Sequence, residues 1–312
     1  VHPDSQEENF DSLISNIEEP FDAKYMILKA IYLTAHEQEK RVVLDGAGGD
    51  VVLGHGSYVI RLLRSWRLKQ AMTEIAAESR NWGAKSSIPD MLYYIRAAAL
   101  PEFIKKALRP TMSRRRERNY LEESLISAEF ATATHIADRF EYLRRMFSGT
   151  WTPDYLKERS DAIRPNMTAG RERYARLASS AGVEARDPYL DKRVVDYCSR
   201  LPGRYRMKQG WPKIILRELM AGKLPDEVIW ARRNPHIGWR FNESITELAV
   251  VHGKLSLPKL RQDIGPYVDA VVLAKAWKEF RDGSSDAADV IHTAYMLSIW
   301  LRETANRPVV PI

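Results

Sequence analysis

The sequence predicts an α/β protein that is mostly helical and carries one piece of a doubly wound parallel sheet. The first observation is Arg41–Gly56, RVVLDGAGGDVVLGHG, whose apolar, β-branched run Val42-Val43-Leu44 reads as a buried strand. That run enters a loop with Gly46, Gly48 and Gly49 between Asp45 and Asp50, and Val51-Val52-Leu53 then restarts an apolar run. The second observation is the preceding stretch, Ala23 to Glu39. Its Met26, Ile27, Ala30, Ile31, Leu33 and Thr34 recur at helical spacing, so helix, strand, glycine loop and helix follow in order. The third is the helical periodicity that fills most of the chain after Ser57. Strand, glycine loop and helix is where open α/β sheets hold ligands, beyond the carboxyl end of a strand. Loop amides there face anions. Spacing alone leaves a plain tight turn equally open.

Composition bounds the class. The chain has 312 residues, 29% charged and 45% hydrophobic, which is a globular composition with enough length for a substantial core. No apolar run approaches the roughly 18 residues that span a bilayer, and the start, VHPDSQEENFDS, is not a signal peptide. The single cysteine, Cys198, makes no internal disulfide, so the expected compartment is reducing and cytoplasmic. Its place in VVDYCSRLP is that of a small core residue rather than a nucleophile. The formal net charge is +7, which favours a polyanionic partner such as a nucleotide without establishing one. Much of the excess lies in Lys105–Arg118, KKALRPTMSRRRER. It reads as a solvated loop or a contact for an acidic partner, and lacks the aromatic interleaving of a single-strand binder.

The remaining elements follow in order. Asp22 is a candidate cap for the helix before the strand. Residues 57–150 read as a helical insertion, with one stripe at Ile60, Leu62, Leu63, Trp66 and Leu68 and another at Met91, Tyr94, Ile95 and Ala98. Arg80–Pro89 and Pro110–Arg118 are its loops, and Leu125, Ile126, Phe130, Phe140 and Leu143 are the apolar positions of its second half. Trp151–Gly170 is a connector, and Arg171–Ala181 a helix stopped by Gly182. Glu184, Arg186 and Asp187 then form a polar cluster. Asp191 is placed to cap Lys192–Arg200. Lys213 lies in the first turn of a helix that ends at Gly222 and Pro225, where the macrodipole disfavours a cation. Two helices, Val268–Phe280 and Ala287–Glu303, close the chain, separated by Asp282-Gly283-Ser284-Ser285.

Four of these segments, in this order, resemble the synthase domain of the asparagine synthetase family. DGAGGD looks like its S/D-G-x-G-x-D loop, preceded at the usual interval by EEPFD. GVEARDPYLDKRVVDYCSRLP is similar to its G-h-E-x-R-x-P-F-L-D segment. GWPKIILREL and LPDEVIWARR resemble its K-x-x-L-R helix and L-P-x-x-V-x-W-R turn. The GW before Lys213 and the HIGWRF stretch look closer to the broader group that includes lasso-peptide and other macrolactam cyclases. The resemblance implies an adenine-nucleotide α-hydrolase-like sheet. It also implies amide synthesis in two steps with ATP and Mg²⁺: a carboxylate is adenylated with loss of pyrophosphate, then an amine displaces AMP. Asp45, Gly46, Gly48 and Asp50 match the nucleotide loop, Lys213 the catalytic lysine, and Glu184, Arg186 and Asp191 residues that shape the site. No residue is assigned as a metal ligand. The implied partners are a carboxylate (aspartate, a peptide or another acid) and an amine (glutamine-derived ammonia or an intramolecular amine); no membrane or nucleic acid is expected.

Two departures sharpen this expectation. The family's strand followed by S-G-G-x-D-S, which grips pyrophosphate, does not occur in the sequence, and neither does the amino-terminal glutaminase domain. Residue 1 is Val, so the chain reads as one synthase-like domain, 1–312, lacking its pyrophosphate-loop portion and inactive alone. Ala47 occupies the loop position where asparagine synthetases carry Glu, which weakens aspartate as the substrate and favours another carboxylate. A binding module that keeps the fold without the chemistry is the competing class.

Overall fold

The structure is a computed structural model. It describes residues 10–15, 18–20, 25–54, 56–82, 84–99, 124–147, 165–232 and 237–305. The calls on Asp22, Lys105–Arg118 and 151–164 lie outside these residues. The fold is α/β and mostly helical, as the sequence predicts.

Two short parallel strands lie at the centre of the argument. Strand β1 (Val42–Leu44) pairs with β2 (Glu184–Arg186), in the register Val42↔Glu184, Val43↔Ala185 and Leu44↔Arg186. Helices α1 (Phe10–Ile14) and α2 (Met26–Glu37) precede β1, and α3 (Gly49–Leu53) follows its glycine loop. The chain then makes α4 (Tyr58–Arg64), α5 (Leu68–Trp82), α6 (Ala84–Ala99), α7 (Ala128–Ala133), α8 (Ile136–Phe147) and α9 (Pro165–Ser180) before returning as β2. Tyr32 of α2, Leu177 and Ala178 of α9 and Ala181 just beyond it form a core with Val183, and Val43 and Ala185 pack against it. The sequence reading of β1 as a buried strand is half right. Successive side chains alternate faces, so Val43 meets the helices while Val42 and Leu44 stay 40% and 67% exposed. No described element covers that second face.

β2 itself is a correction, because Glu184–Arg186 read as a polar cluster rather than a strand. Its strand state comes from pairing with β1. Asp45 N–H continues the ladder by donating to Arg186 C=O at 3.0 Å. Gly182 ends α9 at φ +74, as expected of a left-handed stop. The helix starts at Pro165, five residues inside the span read as a connector, and proline is favoured in a first turn.

Beyond β2 lie α10 (Lys192–Arg200) and a hairpin of β3 (Met207–Lys208) and β4 (Trp211–Pro212). Helices α11 (Ile214–Met220), α12 (Asp226–Ile229), α13 (Ile237–Val251), α14 (Leu257–Ile264), α15 (Ala270–Arg281) and α16 (Ser285–Ala305) complete the fold. The last four helices build the largest core with α1 and α2, around Met26, Phe241, Ile245, Leu260, Leu273 and Ile291. Thr246 and His292 form a buried polar pair within it. Thr246 Oγ1 donates to Asn242 C=O at 2.7 Å and therefore accepts from His292 Nδ1–H at 2.9 Å.

The helical insertion packs in two directions. Helices α4–α6 share a small core of Val59, Ile60, Leu62, Ala71 and Ile75 with Met207 of β3. Trp66 and Leu68 are not part of it. Trp66 takes φ +60 just after α4 and is 83% exposed, and Leu68 and Ile95 are exposed too. Arg80–Pro89, read as a loop, is helical on both sides of residue 83. Ile126 instead bridges to Val268, and the Phe130 ring meets Tyr267 edge-on at 5.2 Å, so the second half docks onto the carboxyl-terminal helices. Among the described residues, no helix is long and apolar enough to cross a membrane.

Candidate active site

β1 and β2 run parallel, so their carboxyl ends lie side by side and each releases a loop on the same edge. The loop after β1 is Asp45-Gly46-Ala47-Gly48. Asp45 Oδ1 accepts from Ala47 N–H at 2.7 Å, an Asx turn that folds the loop on itself. Gly48 follows at φ +81 and caps α3. A β-carbon on Gly48 would stand 2.3 Å from Leu190 Cδ2, so the loop lies directly against the β2 loop. Gly46 has open space where a side chain would go. Among the described residues, the amides of Gly46 and Gly48 donate to no protein acceptor.

The loop after β2 runs Asp187-Pro188-Tyr189-Leu190-Asp191. Asp191 Oδ1 accepts from Arg193 N–H at 2.8 Å and caps α10, which bears out its reading as a cap. Hydrogen bonds from Arg193, side chain first and then backbone, hold its carboxyl down to about 2. Glu184 and Arg186 form a two-pronged ion pair, Nε–Oε1 at 2.9 Å and Nη2–Oε2 at 3.1 Å, on exposed side chains. The hydrogen bonds and then the charge of Arg186 lower the Glu184 carboxyl from its ordinary value.

Lys213 reaches the same edge from the hairpin. Its ammonium pairs with Asp50, the last acid of the glycine loop. The structure corrects its backbone position: Lys213 is the N-cap of α11 at φ +54, ψ +36, not a first-turn residue. A left-handed conformation is uncommon in a residue with a long side chain and is held here from outside. The turn Gln209-Gly210 has φ +53 and +72, the hairpin type that needs two left-handed residues. Glu74 of α5 accepts from Gly210 N–H at 2.9 Å, and Asn81 Nδ2 donates to Gln209 C=O at 2.9 Å. Downstream, Arg217 donates from Nε to Pro212 C=O at 3.0 Å and from Nη1 to Ile229 C=O, with its guanidinium 4.8 Å from the Trp211 ring centre. Lys213 is thus clamped from both sides.

Sequence reasoning missed several residues that shape this edge. Arg171 of α9 lies between the two loops. Its Nη2 pairs with Asp187 Oδ2, and its Nη1 lies 3.5 Å from Asp45 Oδ2. Asp187 is pushed up to about 6, by burial first, then by its hydrogen bond with Asp45 and by that neighbour's charge, against the pull of Arg171. The Tyr32 hydroxyl, buried beside them, has no hydrogen-bond partner among the described residues and is pushed up to about 12 by burial and then Asp45. Arg206 is fully buried. It donates from Nη1 to Val52 C=O at 2.6 Å and Gly54 C=O at 3.2 Å, from Nη2 to Cys198 C=O, and from Nε to Leu201 C=O at 3.4 Å. A cation on the carbonyl ends of α3 and α10 satisfies groups that the helices leave open. Cys198 packs with Val52, Leu53 and Leu201, as a core residue. The contacts of Arg206 with Val52 and Gly54 and of Arg171 with Asp45 join residues far apart in sequence and have no local signal.

An open groove of about 610 Å³ lined by Ile126, Thr132, His135 and Asp269 belongs to α7, α8 and α15, away from these loops. The described residues hold no group of three or more His, Cys, Asp or Glu side chains placed for a metal ion.

Comparison with known proteins agrees with the motifs. The stretch aligned with "Asparagine synthetase [glutamine-hydrolyzing] 3" of Bacillus subtilis (strain 168) is 33% identical over 70 residues, 22% of this chain and 11% of that protein. No solved structure matches. The family model described as asparagine synthase matches residues 1–302, and the chain belongs to that family.

Proposed function

We propose that this chain supplies half of the nucleotide site of an ATP-dependent amide ligase that works through an acyl-adenylate. The observation that carries the reading is the carboxyl edge of β1 and β2, where two unengaged loop amides and an open face at Gly46 stand next to Lys213. Oriented amides of this kind accept phosphate oxygens. ATP would supply the leaving pyrophosphate, with Mg²⁺ carried largely by phosphate oxygens, since no three-ligand protein group is described. Gly46 and Gly48 would hold the nucleotide by backbone donation. Asp45 would order the loop that carries them by accepting from Ala47 N–H. Lys213, released from Asp50, would place a compact positive charge on the oxygens where charge grows during adenylation. Glu184, Arg186 and Asp191 would hold the β2 loop and the helix behind it.

The adenylated carboxylate is the finer question. Ala47 brings no carboxylate to the loop, so we favour a substrate other than free aspartate: a peptide or small-molecule acid joined to an amine, as in macrolactam formation. Glutamine-hydrolysing asparagine synthesis is the alternative. The domain 1–312 would be completed by a pyrophosphate-binding segment elsewhere in the natural protein, and its compartment would be the cytoplasm. ATP–pyrophosphate exchange on the natural full-length protein, run with aspartate and with a panel of peptide acids, tests the reading. Exchange that depends on one carboxylate class is expected. A nucleotide-competent protein that exchanges with none of them contradicts it and leaves a non-catalytic binding module.

A further inference from the structure

Arg171, which pairs with Asp45 and Asp187 at the two loops, has no role in the chemistry above. Asp45 and Asp187 leave β1 and β2 at the same edge, and their side chains are 14% and 12% exposed. Two carboxylates so placed repel, and each would drive its loop away from the other. Arg171 stands between them, itself 19% exposed. It comes from α9, whose far end Leu177, Ala178 and Ala181 fix against Tyr32 and α2. Its anchorage is therefore independent of both loops. Asp45 also orders the glycine loop, through Ala47 N–H. Asp187 begins the segment whose Leu190 presses on Gly48. A displacement of either aspartate is transmitted to the amides of Gly46 and Gly48.

We propose that Arg171 is a positioning residue that bridges Asp45 and Asp187 and so locks the two strand-exit loops into one register that presents the Gly46 and Gly48 amides. The groups facing it are Asp45 and Asp187 from the loops, Tyr32 from α2 and Tyr174 from its own helix, whose ring centre is 5.2 Å from the guanidinium. A guanidinium is suited to this because its rigid planar fork holds two carboxylates in a fixed geometry, whereas the three donors of an ammonium rotate on a flexible stem. The arrangement is a loop coupling, so its signature is joint rather than single movement of the loops. Only the kinetic readout rests on the ligase reading.

The test is amide hydrogen exchange on the natural full-length protein without nucleotide. In Arg171→Gln, exchange of the bonded loop amides, Ala47 and Gly49 in one loop and Leu190 and Asp191 in the other, is expected to quicken together, by at least ~10-fold, while α13 and α16 keep their protection. Arg171→Lys should restore one loop's protection only in part. Asp187→Asn, which still accepts from Arg171, should keep the loops coupled; Asp187→Ala should free both and stands in if Arg171→Gln fails to fold. In turnover, Arg171→Gln should raise KM for ATP ~10-fold with kcat within about threefold, the pattern of lost uniform binding. Loops that respond separately, unchanged protection in both Arg171→Gln and Asp187→Ala, or a fall in kcat at constant KM overturns the proposal. If the wild-type protein neither binds nor turns over ATP, the ligase reading falls, and the exchange data still decide the coupling.

Discussion

Gly46 and Gly48 sit two positions apart in one loop, yet a methyl group meets different physics at each. Gly48 has φ +81 and faces Leu190 at 2.3 Å, so Gly48→Ala adds backbone strain and a clash; a cost of about 1–3 kcal/mol is expected in urea unfolding. Gly46 is open and free of that strain. Gly46→Ala should change stability by less than ~0.5 kcal/mol yet, on the proposed function, weaken ATP binding, because the new methyl would stand where the proposed nucleotide approaches. Equal effects of the two substitutions on stability and on ATP affinity would contradict this. Asp187 gives a pH signature at the same scale. Its native carboxyl is raised to about 6 from an ordinary 3.8, so between those values the folded state holds a proton that the unfolded chain has lost. Such a group stabilises the fold at low pH, and its contribution is lost as pH rises through about 6. Asp187→Asn mimics the protonated form. Its melting-temperature gain over wild type should grow from pH 4 to pH 7 and then level off. Glu184 and Asp191 shift the other way, downward, and both are present in the variant as in wild type, so their contribution cancels in the comparison. A gain that shrinks between pH 4 and pH 7 would show the sign to be wrong.

The helical insertion gains a purpose when its contacts are followed element by element. α5 has no chemistry of its own, but Glu74 is buried and holds the hairpin turn through Gly210 N–H. The next constrained residue along that hairpin is Lys213, at φ +54. Gly210 cannot give way, since a β-carbon there would lie 2.1 Å from Glu78 N. Removing the acceptor with Glu74→Ala leaves a buried N–H unpaired, at a cost of about 1–3 kcal/mol, and loosens the backbone that aims Lys213. Glu74→Gln keeps an acceptor at the same reach. Circular-dichroism melts together with pyrophosphate exchange should therefore show the alanine variant less stable and slower, with glutamine near wild type. Glutamine failing as badly as alanine would mean that the carboxylate's charge, not its hydrogen bond, matters. Arg206 works the same way on the other flank, closing the carbonyl ends of α3 and α10 and so holding both helices that begin at the loops.

Across the whole molecule, what was legible in the sequence is what local rules encode. The glycine loop, the Asp191 cap and the Gly182 stop each occupy a position that only a few residue types serve, and the structure has all three. β2 was not legible, because Glu-Ala-Arg has neither alternation nor β-branched residues; pairing with β1 makes it a strand. Arg171 and Arg206 were not legible because Asp45, Val52 and Gly54 lie far from them along the chain, and a lone Arg carries no sign of them; the burial of Tyr32 is likewise set by tertiary packing. The strand pair also shows where the sheet is open: parallel sheets are ordinarily covered on both faces, and here Val42 and Leu44 are not covered by any described element. That exposed face lies beside the loops of the candidate site. The central claim is that this edge, with Lys213 at its rim, performs adenylation. It is tested most directly by ATP–pyrophosphate exchange on the full-length protein and its Lys213→Ala variant, with melting curves as the control for folding. The account predicts that the variant melts like wild type and loses at least ~100-fold in exchange, the scale of one removed transition-state charge contact; a folded Lys213→Ala variant that exchanges at the wild-type rate would contradict it.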